Sequence, residues 1–255
     1  MDSNSKKIKT PSSEFQLQSY SLSTLVCYAS LLTSLSPSRK VFKLNEAHDA
    51  NTTPSYWLTH KTIVSLADYG LIKLRLSSVA TNYKILLVHG NEDVHLKSVL
   101  TEIGRRKANY TDKDLLLLTH NCLKASLHTH ISKQLLNAGI NLTLSEVDFE
   151  AFTSTIERRC LAQLCMIVWQ AVQNISPSNL RYFSLSKEYA GIVEQIETLF
   201  LETLGRYESK NRAIQSFRFS QKSHPSLSLV LFNSVLCFNE DYSMYSLREI
   251  WNRLE

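Results

Sequence analysis

At 255 residues the chain is long enough to bury a core and to hold one large or two small domains. With 6 Gly and 5 Pro it is too poor in turn formers for a turn-rich β architecture, and no apolar run reaches the ~18 residues of a membrane span. The net charge of +5 is unevenly placed: residues 1–90 carry 10 Lys/Arg against 5 Asp/Glu, whereas residues 91–255 carry 18 against 18.

Residues 1–13 are Ser/Lys-rich and polar, and read as a disordered basic tail. No apolar stretch follows them, so no secretory leader is expected. The 5 cysteines, at 27, 122, 160, 165 and 237, are odd in number and form no CxxC pair. Reduced thiols in a cytoplasmic protein are the expectation. From Gln16 to Leu35 apolar residues recur at helical spacing, and Ser36-Pro37-Ser38 ends the run. Arg39 to Leu44 reads as a short strand. Asn45 to His48 reads as a short helix, and Asp49 to Thr52 as the turn after it.

Thr53 to Gly90 carries the densest pattern. Thr53 is placed to cap a helix whose first position, Pro54, has no hydrogen bond to lose. Wound through Tyr69, the helix is predicted to turn Tyr56, Trp57, His60, Ile63, Val64 and Ala67 inward, and Leu58, Lys61, Thr62 and Ser65 outward. Gly70 is suited to a left-handed stop. Leu71 to Leu76 alternates apolar with basic residues, Ser77 to Asn82 is a polar turn, and Tyr83 to Val88 is a second β-type run.

The order helix, Gly, strand, turn, strand, with the phrase SLADYGLIKL at its joint, resembles the recognition helix and wing of a winged helix-turn-helix domain. The resemblance covers Leu17 to Val88. It implies a DNA-contacting surface of Ser55, Thr59, Lys61, Thr62 and Ser65 on the helix, with Lys73, Arg75 and Lys84 on the strands and Ser77, Ser78, Thr81 and Asn82 in the turn.

Beyond residue 90 the pattern is helical. Glu92 to Lys107 is predicted as a helix, with Arg105, Arg106 and Lys107 in a dipole-favoured last turn. Thr111 with Asp114 approximates a capping box for a helix to Ala138, stopped by Gly139. Ser145 with Asp148 is predicted to open another, running through Val172. A third is expected from Lys187 to Leu204, closed by Gly205. Arg206 to Phe219 is open between helix and loop, Ser226 to Phe238 between a strand pair and a buried helix, and Asp241 to Leu254 reads as a last amphipathic helix.

No catalytic constellation emerges. His120, Cys122, His128 and His130 point in several directions from one helix, so they do not converge as zinc ligands would. Cys160 and Cys165 adjoin Arg158 and Arg159 but sit in a core-like context. Glu146, Asp148 and Glu150 suit a helix N-terminus without any catalytic role. Phosphate-binding, dinucleotide-binding, zinc-protease and serine-hydrolase motifs are lacking.

The expected fold is therefore mainly α with a small β-hairpin: a winged-helix unit at 14–90 and a helical domain at 91–255. The expected function is a DNA-binding regulator without cofactor, contacting double-stranded DNA through the first unit and a homodimer or protein partner through the second. The alternative is a non-catalytic interaction subunit whose winged helix docks protein.

Overall fold

The computed structural model describes residues 17–35, 41–76, 83–87, 92–106, 112–149, 153–175, 177–186, 189–217, 224–238 and 241–253. The basic tail, the Ser36–Ser38 stop, the 77–82 turn and the expected boundary at 108–110 lie outside them.

A short 3-10 turn, Leu17–Ser19, leads into α1, Leu22–Ser34. Ser21 caps α1 by accepting the Thr24 N–H at 3.2 Å. The helix is apolar nearly all round, as a helix enclosed on every side must be. Leu25, Val26, Tyr28, Ala29 and Leu31 are completely buried. Strand β1, Val41–Lys43, passes directly into α2, Leu44–Asp49, and a turn then leads to α3, Tyr56–Asp68. Gly70 takes φ +72°, where a side chain is disfavoured, and the chain leaves as β2, Ile72–Leu76, and returns as β3, Tyr83–Leu87. The sheet is antiparallel throughout, in the order β1-β3-β2. Phe42, Ile85 and Ile72 bury one of its faces.

The helical remainder wraps α1. Helix α4, Glu92–Arg105, packs on it, and Arg106 just beyond gathers three partners. Its guanidinium donates to Glu102 at 2.9 Å and to the carbonyls of Tyr20 at 2.5 Å and Leu17 at 3.0 Å, tying down the first turn. Helix α5, Lys113–Asn137, is capped by Asp112 rather than Thr111, with the Leu115 N–H at 3.0 Å from the carboxylate. It contacts α1, α3 and the helices at 161–173 and 247–252. Further on come α6, Thr153–Ile156, α7, Leu161–Gln173, α8, Pro177–Ser186, and α9, Tyr189–Ser209. One α-turn, Ser226–Ser228 (α10), runs into a π-helix, Leu229–Val235, and α11, Leu247–Asn252, follows. No helix among the described residues is long and apolar enough to cross a membrane.

The fold is thus mainly α with one small sheet. Several expected elements are corrected. The helix expected from Ser145 to Val172 does not start at Ser145 and is instead formed as α6 and α7, parted at residues 157–160. Asp148 does accept the Ser145 N–H, at 2.6 Å, but Phe149 then adopts φ +60° and drives its ring into the core. Pro177, just beyond the end of α7, opens α8. Helix α9 continues through Gly205, held by hydrogen bonds between Tyr207 and Gln170 at 2.9 and 3.2 Å. The undecided stretch after residue 225 is helical. Its π winding, closed by Leu236 N–H to the Leu231 carbonyl at 3.0 Å, buries the adjacent Leu231 and Phe232 together.

The apolar core also runs through the expected junction at residue 90. Helix α1, from the first unit, packs against α4, α5 and the 226–235 segment as well as α3, and their buried side chains form one continuous cluster.

Candidate nucleic-acid interface

The sheet places its charges by register. Antiparallel pairing sets Lys43 opposite Lys84 on one side and Arg75 opposite Lys84 on the other. Residues directly opposite point to the same face, with Cβ atoms ~5 Å apart, so three cations form one row across three strands. The next row joins Val41, Leu86 and Lys73. The row between them is Phe42, Ile85 and Leu74, on the inner face. The open face therefore carries Lys43, Lys73, Arg75 and Lys84, all exposed, with Val41 and Leu86 between them. None of the three described strands contains an acidic residue. Among the described residues none of the four cations is in an ion pair. Glu46, at the edge, spends its carboxylate on the Lys43 N–H at 2.7 Å. Like charges set directly opposite destabilise a sheet by a few tenths of a kcal/mol or more. An anion held over the face relieves that repulsion.

Lys73, Arg75 and Lys84 thus lie together as the sequence indicated, and Lys43 was missed. Its signal was present in the alternation Val41-Phe42-Lys43, which sets Lys43 on the side opposite Phe42.

Helix α3 is corrected more deeply. Its buried residues are Leu58, Thr59, Thr62, Ile63 and Leu66, whereas Tyr56, His60 and Val64 are exposed. The side expected to face DNA instead faces α1 and α5, where Leu58, Thr62 and Ser65 line a cleft with Cys27, Leu118 and Asn121. Two threonines turn inward because each hydroxyl finds a partner there. Thr59 Oγ1 donates to the Ser55 carbonyl at 3.1 Å and lies 2.8 Å from Thr53 Oγ1, while Thr62 hydrogen-bonds the buried Cys27 thiol. Ser55, not Thr53, is the cap, with its hydroxyl 3.4 Å from the Leu58 N–H. Ser55, Thr59 and Thr62 are therefore structural, and Ser65 is half-buried beside the α1–α5 cleft. Ser55→Ala should lower stability by about 1 kcal/mol, or about 2–4 °C in a thermal melt.

Lys61 is exposed, but its ammonium is 2.5 Å from Glu146 Oε1 on the segment after α5. Both side chains are nearly half exposed, so the pair contributes at most ~1 kcal/mol. Lys61→Ala should therefore leave the melting temperature within about 2 °C of the parent.

His128 and His130 of α5 are buried beside aromatic rings. His128 lies edge-on to Trp57 and Phe149 with ring centroids 6.1 and 6.0 Å away, and His130 is 4.5 Å from Phe217. Burial pushes both down to about 4. His60 is exposed rather than half-buried against the core, because α3 is rotated from its predicted setting. Among the described residues no group of three or more His, Cys, Asp or Glu converges as metal ligands would. Cys27 and Cys122 are buried thiols pushed up to about 12 by desolvation. Comparison with protein-family models, with curated proteins and with solved structures finds no match.

Proposed function

We propose that the chain is a nucleic-acid-binding protein that grips duplex phosphates with the open face of its small sheet, as part of a regulator-like module of winged-helix type. The observation that carries this reading is the cross-strand row Lys43–Lys84–Arg75 with Lys73 beside it and no carboxylate on the strands. The winged-helix assignment is supported by the succession α1, β1, α2, α3, β2, β3 and by the sheet order β1-β3-β2. The row spans ~10 Å, along which a duplex presents about six phosphate charges. Contacts of this kind position a protein without selecting sequence. Base reading by the α3 side that faces α1 and α5 is not part of the proposal.

A titration of fluorescent 20-base-pair duplex at two salt concentrations tests it. Four phosphate contacts give a log–log slope near −3.6. Affinity should then fall about 100-fold between 50 and 200 mM salt. No binding at 50 mM salt would reject the reading.

A second reading has its own support. Val41 is 44 % exposed on the same sheet face, and Tyr56 and Val64 form an open apolar stripe on α3 at 37 % and 38 %. A non-catalytic interaction subunit would cover such residues with a protein partner. Co-purification at fixed stoichiometry without duplex affinity would favour it.

A further inference from the structure

A cavity of about 380 Å³ lies where the α2–α3 turn, α5 and the chain's last third meet. That volume falls within the ~300–1,000 Å³ typical of small-molecule sites. One face of α5 supplies a wall, with Ser126, Thr129, His130, Lys133 and Gln134 spaced i, i+3, i+4, i+7 and i+8. Opposite are Phe217, Tyr242 and Ser243. The turn is clamped at this seam. The Asn51 and Thr52 carbonyls accept the Ser226 and Leu227 N–H at 2.9 and 2.8 Å, and the Thr129 hydroxyl donates to the Pro54 carbonyl.

The lining selects a chemistry. Among the described residues no Asp or Glu borders the cavity, while Lys133 is exposed on its wall and supplies a positive charge. The aromatic walls are rigid. Tyr242 is stacked on Phe232 at 4.0 Å with the rings 2° from parallel, and its hydroxyl lies 3.4 Å from His224 Nδ1. Phe217 meets His130 edge-on at 4.5 Å. Ser243 is 1 % exposed, and its Oγ has no hydrogen-bond partner. An orphaned buried hydroxyl costs ~1–3 kcal/mol and is relieved by a polar ligand atom. Burial keeps His130 neutral, so at neutral pH it adds polarity without charge.

We propose that this cavity binds a small aromatic carboxylate, its ring between the aromatic walls, its carboxylate on Lys133 and a polar atom at Ser243. None of the wall residues belongs to the sheet, so the site stands independently of duplex binding.

Calorimetric titration of the full chain with 1-naphthoate, and with neutral 1-naphthalenemethanol, tests this. Saturable one-to-one binding of the acid with a sub-millimolar Kd is expected, with the alcohol at least tenfold weaker. Lys133→Met, at an exposed position, should weaken the acid about tenfold and leave the alcohol unchanged. Ser243→Ala should weaken the acid severalfold, and Lys97→Met on α4 should have no effect. Absence of saturable binding up to 5 mM, equal affinity for acid and alcohol, or indifference of the acid to Lys133→Met would each overturn the proposal.

Discussion

Replacing Lys43, Arg75 and Lys84 together by Glu is expected to abolish duplex binding while leaving the fold intact. Each of the three is exposed on the open face of the sheet, and the row inside them, Phe42, Ile85 and Leu74, is untouched. Each reversal removes one counterion-releasing contact and adds one repulsive charge. Three lost contacts alone reduce the salt slope from about −3.6 to about −0.9. The expected loss at 100 mM salt is therefore at least 100-fold. Single reversals should each flatten the slope by about one unit, and Arg75→Glu should behave like Lys84→Glu because the two face each other across one pair of strands. Melting should change little, since the parent row already sets like charges opposite one another and so does the variant. Retention of salt-sensitive binding in the folded triple variant would remove the sheet from the interface.

Acidification is expected to destabilise the chain steeply between pH 6.5 and 4. His128 and His130 are 2 % and 6 % exposed, and both are held near 4 in the folded state against about 6.5 in an unfolded chain. Burial dominates both shifts. At His128, Lys124 pushes the same way and Asp148 opposes; at His130, a backbone hydrogen bond at Cys165 opposes and Lys133 pushes the same way. Between pH 6.5 and 4 the unfolded chain binds up to two more protons than the folded one. Stability therefore rises with pH through this window and is lost as pH falls through it. The slope approaches about 2.7 kcal/mol per pH unit for the pair, and the loss by pH 4 is on the order of 6 kcal/mol. That is comparable to the whole stability of many domains. Denaturant melts at pH 7.0, 6.0, 5.0 and 4.5 should show it, and His130→Leu should halve the slope. A stability that stays level from pH 6.5 to 5 would mean that these rings are hydrated and titrate normally.

Much of the fold was legible because its punctuation is local. Gly70 and Gly139 take positive φ after their helices, and the alternation of residues 72–76 with 83–87 gives a hairpin whose basic residues share a face. What was not legible depended on partners distant in sequence. The helical wheel of α3 treated Thr59 and Thr62 as polar. A threonine that returns its hydroxyl to the helix or to Cys27 presents a methyl, and α5 supplied the surface that covers it. Val64 and Tyr56 were treated as core and lie outside. Phe149 takes φ +60° just after the cap that Ser145 and Asp148 form, and its ring lies 6.0 Å from that of His128 across the fold, so no helix starts there. Neither event leaves a trace in the spacing of nearby residues. The same holds for the boundary at residue 90: a change in charge balance marks it, yet the core crosses it through α1. At the candidate site the three strand cations followed from period-two alternation; the same alternation sets Lys43 opposite Phe42, and the pairing of β1 with β3 then brings it into their row.

Backbone amide chemical-shift mapping during titration with a generic duplex at 50 mM salt reads the interface directly. Shifts concentrated at residues 41–43, 73–75 and 84–86, fading as salt is raised, are the result expected if phosphates lie on the open sheet. Shifts concentrated instead at Ser55, Thr59, Thr62 and Ser65 of α3, with the sheet silent, would contradict it.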